Sequence, residues 1–132
     1  MYPRLVIDLE KLRHNANALC ELAGERGVTD LAFVTKVFCA DEEMVRVLEA
    51  SPCRYLADSR IENLAKYPLK NKERILLRLP MPSQAEEVVK NAEISLNSEI
   101  TTIRALSAAA KKLRKTHKVV LMIDLGDLRE GY

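Results

Sequence analysis

The sequence predicts an α/β fold in which parallel strands alternate with helices as a partial (β/α) barrel. Apolar, strand-like segments recur at intervals of roughly 18 to 27 residues, which is the pitch of a βα repeat with short loops. The first strand–helix turn reads "DLEKL" and lacks the glycines of a nucleotide-binding doubly wound sheet, and the whole chain has only four glycines. The barrel is therefore favoured, although six such units are fewer than the eight of a complete one.

The predicted strands follow from apolar runs bounded by turn residues, and all but the first are expected to be mutually parallel. They cover residues 4–9, 31–37, 54–58, 74–79, 92–96 and 118–124.

Side chains suited to cap a helix follow most of these strands. They are Asp8, Asp41, Ser59 with Glu62, Ser83 with Glu86, and Ser98. We expect the first helix to end at Gly24 or Gly27, the second to stop before Pro52, and the third to run through Ala65. Ser98 is expected to open the longest helix, whose apolar stripe includes Leu106.

The composition is that of a soluble globular protein of single-domain size, with 132 residues, 48% of them hydrophobic and 30% charged. The 21 basic and 19 acidic residues nearly balance, so we expect neither nucleic acid nor a membrane as a partner. The basic run 111–118 is interpreted as the charged end of a helix, with an anion-binding patch as the alternative.

The start of the chain and its cysteines indicate a cytoplasmic protein. The opening "MYPRLVIDLEKL" turns charged at once, unlike a signal peptide, and no apolar run reaches transmembrane length. Cys20, Cys39 and Cys53 are odd in number and lack the close pairs of a zinc site. We therefore expect reduced thiols and no bound metal.

Polar residues collect at the predicted carboxyl ends of the strands, where parallel α/β folds bind their ligands. They are Lys36, Asp58, Ser59, Arg60, Arg78, Asn97, Asp124, Asp127 and Arg129. Other interpretations stay open for several of them. Asp58, Ser59 and Ser98 can be helix caps, and Arg78 and Asn97 can satisfy loop carbonyls.

Lys36 is unusual because it lies in the apolar run "LAFVTKVF" of residues 31–38. In an extended strand, Val34, Lys36 and Phe38 would share one face, so the amine would stand in an apolar row. Desolvation lowers the pKa of a lysine and frees the nucleophilic lone pair that Schiff-base chemistry uses. The alternative is a lysine at a strand end that reaches solvent.

Five segments together resemble the ornithine racemase branch of the alanine racemase-like family, pyridoxal-phosphate enzymes of fold type III. They are "FVTKVFCAD" (33–41), "LADSRIENL" (56–64), "LLRLPM" (76–81), "ISLNSE" (94–99) and "LMIDLGDLREG" (121–131). The resemblance covers essentially the whole chain and implies a barrel of the TIM-like, alanine racemase N-terminal type. It also implies pyridoxal 5'-phosphate as the cofactor.

Two site residues follow from this resemblance. Lys36 is implied to hold the cofactor as an internal aldimine and to act as a base at the substrate's α-carbon. The family motif Asp-x-Gly-x-x-Arg-x-Gly matches Asp124, Gly126, Arg129 and Gly131. Arg129 is therefore implied to contact the cofactor's phenolic oxygen and the substrate carboxylate, while Arg78 and Asn97 are weaker candidates for substrate binding.

The implied function is that of a pyridoxal-phosphate-dependent amino-acid racemase, acting on a free amino acid as its small-molecule substrate and working as a homodimer. Two departures from alanine racemases favour a larger substrate such as ornithine. The segment that follows Lys36 (37–41) has no tyrosine, and Met122 occupies the place of a lysine that is carbamylated in some alanine racemases.

The resemblance further implies that residues 1–132 are the amino-terminal part of a barrel domain, with the rest of the barrel and a C-terminal domain absent. We expect this chain to be inactive alone. Two alternatives stay open for the function: a pyridoxal-phosphate-binding homeostasis protein of the same fold, and a non-catalytic α/β interaction module.

Overall fold

The computed structural model describes every residue except Met1, Tyr67, Pro68, Asp127, Arg129 and Tyr132. Within this part of the chain, strands and helices alternate strictly after the first helix. The helices are α1 (Leu9–Glu25), α2 (Glu42–Ala50), α3 (Ile61–Ala65), α4 (Ala85–Asn91) and α5 (Ile100–Leu113). The strands are β1 (Ala32–Val34), β2 (Tyr55–Asp58), β3 (Glu73–Leu76), β4 (Ile94–Asn97) and β5 (Lys118–Leu121). None of the described helices combines the length and the apolar character needed to cross a bilayer.

The five strands form one sheet in the order β1-β2-β3-β4-β5, and every neighbouring pair is parallel. Each strand pairs with the next one along the chain, and a helix connects the two. This arrangement confirms the predicted α/β class and parallel sheet, and it is consistent with part of a (β/α) barrel.

Two apolar clusters lie between the sheet and its helices. The first joins α3, α4 and α5 to β3, and Leu76, Val88 and Leu106 are almost completely buried in it. The second joins α1 and α2 to β1 and β2 around Leu56, with Phe38 packed against it. The side chains of Leu56, Asp58, Leu76 and Ser95 therefore mark the helix-covered face of the sheet, because residues paired in register share a face.

The predicted first strand at residues 4–9 is wrong. Residues 3–8 form no strand in the described structure, and the side chains of Leu5 and Val6 are exposed. A strand needs a partner for its backbone groups, and no described strand lies beside this segment. The predicted cap at Asp8 is confirmed, because its carboxylate accepts hydrogen bonds from the backbone N–H groups of Glu10 (3.0 Å) and Lys11 (3.1 Å).

Three of the predicted strands end too late. β1 stops at Val34 because Thr35 takes helical dihedral angles and residues 36–38 form a 3-10 turn, in which the N–H of Phe38 bonds to the carbonyl of Thr35 instead of across the sheet. β3 stops at Leu76 and β5 at Leu121, each three residues before its predicted end. The strands β2 and β4 agree with the predictions within two residues at each end.

The predicted caps divide into two groups. Asp41 accepts hydrogen bonds from the N–H groups of Glu43 and Met44, as expected for the residue that opens α2. Ser59 does not cap α3. The N-cap residue of this helix is Arg60, and no side chain makes a capping hydrogen bond there. The carboxylate of Asp58 instead accepts from the N–H of Arg60 at 2.9 Å, in the turn that precedes the helix.

The other two serine caps are also wrong. A 3-10 turn at Pro82–Gln84 precedes α4, and the side chain of Gln84, not of Ser83, makes the local hydrogen bond there, to the N–H of Met81. Helix α5 begins after Glu99 with no side-chain cap from Ser98. It has 14 residues, so the longest helix is α1 with 17.

Candidate active site

The carboxyl ends of the parallel strands lie along one edge of the sheet, and several predicted site residues follow them. Lys36 comes two residues after β1, Arg78 two residues after β3, and Asn97 is the last residue of β4. The segment that carries the Asp-x-Gly-x-x-Arg-x-Gly motif follows β5. Their side chains nevertheless occupy different environments.

Lys36 opens the 3-10 turn after β1, and its side chain is exposed. It makes no hydrogen bond or ion pair with any residue that the structure describes. The predicted apolar row of Val34, Lys36 and Phe38 does not form, because the turn directs Phe38 into the cluster under the helices. The amine therefore lies at a strand end, in contact with solvent, and not in a dry pocket within these residues.

The backbone that follows Lys36 is held in an unusual conformation. Cys39 and Ala40 both take left-handed dihedral angles, with φ of 53° and 51°, which residues with a Cβ atom seldom adopt. The carbonyl oxygen of Thr35 accepts from the N–H groups of Phe38 (3.3 Å) and Ala40 (3.1 Å), and Ala40 is buried. Such strain persists only where surrounding contacts over-determine the backbone.

The neighbouring β2–α3 unit supplies those contacts. The hydroxyl of Thr35 donates to Asp58 Oδ2 at 2.7 Å, while Asp58 Oδ1 accepts from the Arg60 N–H and from Asn63 Nδ2. Asp58 is completely buried, so this carboxylate has three donors in place of water. Lys66 Nζ, from the end of α3, donates to the carbonyl oxygen of Cys39 at 2.7 Å.

Sequence reasoning singled out Asp58 as a candidate ligand or helix cap but missed Thr35 and Lys66. Both contacts link residues that are distant in the chain, by 23 positions for Thr35 with Asp58 and by 27 for Lys66 with Cys39. Only the parallel register of β1 and β2 brings them together. The sequence offered two signals for the first contact: a polar residue, Thr35, beside Lys36, and a polar residue, Asp58, at the end of β2.

Arg78 lines a cleft between α3 and the loop that joins β3 to α4. The cleft has a volume of about 160 Å³, and Arg60 also lines it. Its floor is apolar, with Ile61, Leu76 and Val88. Neither guanidinium has an ion-pair partner among the described residues. The cleft lies between the ends of β2 and β3, whereas Lys36 follows β1 on the far side of β2.

Asn97 is buried on the helix-covered face, two residues after Ser95. Its Nδ2 donates to the carbonyl oxygen of Ser95 (3.0 Å) and to the Ser95 hydroxyl (2.9 Å), which fixes the orientation of the amide. Its Oδ1 has no hydrogen-bond partner among the described residues. The structure therefore does not bring this amide together with Lys36, and it points to a structural role for Nδ2.

The Ser95 hydroxyl continues this network to His117, with 2.8 Å between Oγ and Nε2. The other ring nitrogen, Nδ1, lies 3.1 Å from the carbonyl oxygen of Ala92. A carbonyl only accepts, so Nδ1 carries the proton and Nε2 accepts from Ser95. Burial lowers the pKa of His117, although the bond to Ala92 and the charge of Glu93 act in the opposite direction.

The motif segment after β5 folds back on itself. Asp124 Oδ1 accepts from the N–H groups of Gly126 (2.7 Å) and Leu128 (3.4 Å). Gly126 has a φ of 103°, and a Cβ atom at Gly131 would lie 2.2 Å from the backbone nitrogen of Asp124. Both glycines are therefore required by the shape of this loop. Arg129 and Asp127 lie outside the described residues, so their predicted roles remain predictions.

The sequence of this chain was compared with protein families and with known proteins. The family model for the N-terminal domain of alanine racemase matches residues 7–132. The chain is 48% identical over 132 residues to an ornithine racemase from Acetoanaerobium sticklandii, and 34% identical over 133 aligned positions to a lysine racemase from Thermotoga maritima. It is covered almost completely in both comparisons, but it spans only 37% of the length of each relative.

Solved structures show the same fold at lower identity. The alanine racemase from Clostridium difficile 630 superposes with a TM-score of 0.78 at 23% identity, over 95% of this chain and 34% of that one. PipY from Synechococcus elongatus PCC7942, solved with pyridoxal phosphate bound, gives a TM-score of 0.69 at 18% identity, over 88% of this chain and 56% of that one. The fold and the match over residues 7–132 show that the chain belongs to the alanine racemase N-terminal domain family.

Proposed function

We propose that the protein containing this chain is a pyridoxal-phosphate-dependent racemase of amino acids with a basic side chain, ornithine first among them. The observation that carries the proposal is the exposed amine of Lys36 at the carboxyl end of β1, in a chain of this family. The names of its two relatives, an ornithine and a lysine racemase, support a substrate that carries a second ammonium group.

Lys36 fits the chemical requirement of the cofactor. A pyridoxal aldehyde condenses with a primary amine that is accessible and not engaged elsewhere, and Lys36 Nζ is exposed and has no partner among the described residues. When bound, the cofactor withdraws electrons from the α-carbon of the attached amino acid and so acidifies its proton.

Lys36 would carry out two tasks in this reaction. Its Nζ would hold the cofactor in the resting protein. Its amine would also accept the α-proton or return it, as a general acid–base group at the α-carbon. Racemisation results when the proton is removed on one face and delivered on the other.

Arg129 is our proposal for the group that faces the cofactor's phenolic oxygen and the substrate carboxylate. A guanidinium offers two parallel donors to a planar carboxylate. The glycine-dependent loop from Asp124 to Gly131 supports the motif assignment. Substrate contacts by Arg78 and Asn97 remain predictions, and the hydrogen bonds of Asn97 to Ser95 make it the weaker of the two. We also propose that the protein acts as a homodimer.

The proposal is tested by locating the cofactor on the full-length protein. Incubation with pyridoxal phosphate should give a yellow adduct that borohydride fixes to the peptide containing Lys36. Lys36→Ala should give no such adduct, whereas Lys112→Ala, which removes an exposed lysine of α5, should behave like the wild type. The same adduct in Lys36→Ala would contradict the assignment, and the absence of any binding would favour the interaction module.

A second candidate is a protein that carries pyridoxal phosphate with little turnover. The similarity of this fold to PipY with pyridoxal phosphate bound is the observation in its favour. Racemisation of a panel of amino acids by the full-length protein separates the two. Turnover of ornithine or lysine supports the racemase, while cofactor binding without racemisation of any amino acid supports the second candidate.

A further inference from the structure

The loop that carries Lys36 is attached to the β2–α3 unit at two points, one on each side of the lysine. Thr35, directly before Lys36, is bonded to Asp58 at the end of β2. Cys39, three residues after Lys36, is bonded through its carbonyl oxygen to Lys66 at the end of α3. Lys36 itself has no contact of this kind with a described residue, so its position depends on these neighbours.

The attachment before Lys36 is buried and fully satisfied. Thr35 and Asp58 are both almost completely inaccessible to solvent, and the hydroxyl also lies 3.3 Å from the carbonyl oxygen of Ala57. Asp58 Oδ1 is occupied by the Arg60 N–H and by Asn63 Nδ2, so the only donor to Oδ2 among the described residues is Thr35. Loss of that hydroxyl would leave a buried carboxylate oxygen unpaired, which is costly.

The attachment after Lys36 lies at the surface. The ammonium group of Lys66 donates to the carbonyl oxygen of Cys39, the first of the two left-handed residues. A charged donor strengthens such a bond, and here it holds a residue with left-handed dihedral angles. Because Lys66 is exposed, the bond can be removed with little effect on the core.

We propose that Asp58, through Thr35, and Lys66, through the Cys39 carbonyl, are positioning residues that aim the amine of Lys36. The inference rests on the proposed function of Lys36. The physical reason is that no described residue holds the side chain of Lys36. The region that its nitrogen can reach therefore depends on the backbone of the turn at residues 36–38. A displacement of about 1 Å at a reacting group can lower the rate about a hundredfold.

The first experiment measures the loop without the cofactor. Amide hydrogen exchange is followed at Phe38 and Ala40, whose N–H groups bond to the Thr35 carbonyl, in full-length, cofactor-free protein. Thr35→Val and Lys66→Met should speed exchange at these two amides by about tenfold or more. Thr35→Ser and Lys66→Arg, which restore a donor, should return it towards the wild-type rate.

The second experiment measures turnover of the same variants. We expect Thr35→Val and Lys66→Met to lower kcat by about 10- to 100-fold with KM for the amino acid nearly unchanged, and the conservative variants to recover most of kcat. Lys112→Met is the matched control, because it removes an exposed lysine that pairs with Glu86 on α4, and it should alter neither measurement.

The outcomes separate this inference from the proposed function. Exchange and kcat unchanged in both Thr35→Val and Lys66→Met would overturn the positioning role even if Lys36 holds the cofactor. If Thr35→Val does not fold, the comparison of Lys66→Met with Lys66→Arg alone tests the positioning role. If Lys36→Ala still forms the adduct, the proposed function fails, whereas faster exchange in the variants would still show that these residues hold the loop.

Discussion

At the scale of single residues, His117 shows how burial fixes a protonation state. The imidazole is half-buried where β5 begins, and its two nitrogens face one acceptor, the Ala92 carbonyl, and one group that can donate, the Ser95 hydroxyl. A second proton on the ring would require the hydroxyl to turn its hydrogen away. The lowered pKa that burial causes is consistent with this neutral tautomer.

His117 should make stability depend on pH. Its pKa is lower in the folded protein than the ordinary value of 6.5, so the unfolded chain binds the proton more readily. The contribution is complete above about pH 6.5 and is lost as the pH falls through the lower, folded pKa. Urea unfolding of the full-length protein between pH 8 and about 5 should show stability that declines in acid. This decline should be smaller in His117→Gln.

The matched control for this measurement is the other histidine of the chain. His14 is exposed on α1, and His14→Gln should keep the wild-type dependence of stability on pH. An equal decline in His117→Gln and in the wild type would show that the network around Ser95 does not contribute. If His14→Gln loses the decline of stability in acid, the decline comes from His14 and not from His117.

At the scale of elements, one ion pair joins the starts of β3 and β4. Arg74 Nη2 and Nε donate to the two carboxylate oxygens of Glu93 at 2.8 and 3.1 Å, and the backbone N–H of Arg74 adds a third bond at 2.7 Å. Arg74 Nη1 also contacts the Leu64 carbonyl of α3. Burial acts to raise the pKa of Glu93, but the hydrogen bonds from Arg74 outweigh it and lower the pKa.

The two parallel hydrogen bonds of the Arg74 guanidinium should contribute more to stability than its positive charge. Arg74→Lys keeps a cation but cannot make two parallel bonds, so we expect a loss of about 1–2 kcal/mol in the free energy of unfolding. Arg54→Lys is the control, because Arg54 pairs with Asp30 at an exposed site, and it should cost well under about 1 kcal/mol. Equal losses in the two variants, measured by urea unfolding, would refute a special role for the partly buried pair.

At the scale of the whole molecule, the described sheet has two edge strands, β1 and β5. Apolar side chains are exposed at these edges, with Val34 accessible to 39%, Val120 to 45% and Leu121 to 54%. The helices cover one face of the sheet, while Val34 and Val120 lie on the other face. Unpaired backbone groups beside exposed apolar side chains recruit other chains.

We expect these 132 residues alone to associate into dimers or larger species. Light scattering over a dilution series should show a mass that falls with dilution, and Val120→Lys should shift the balance towards the monomer, because a charge protects an edge. Lys111→Ala, on the exposed face of α5, is the control and should not alter association. A monomer at all concentrations would contradict the edge argument. We also predict that the same samples will not racemise amino acids.

The sequence by itself determined the alternation of strands and helices after the first helix, their order, and the place of Lys36 near the carboxyl end of a strand. These features depend on local patterns, because apolar periodicity, capping aspartates and turn residues act over a few positions. The cap at Asp8 and the start of α2 after Asp41 were predictable for this reason. The resemblance of short motifs then identified the family that the comparison bears out.

Tertiary structure alone decided where β1, β3 and β5 stop and which side chains meet. Residues 4–9 have strand-like composition, yet no described strand lies beside them, while a 3-10 turn ends β1 before Lys36. The register of β1 with β2 gives Asp58 its bond to Thr35, and the register of β4 turns Asn97 towards the helices. These outcomes depend on pairing between distant segments, because a strand's faces and ends are set by its neighbours.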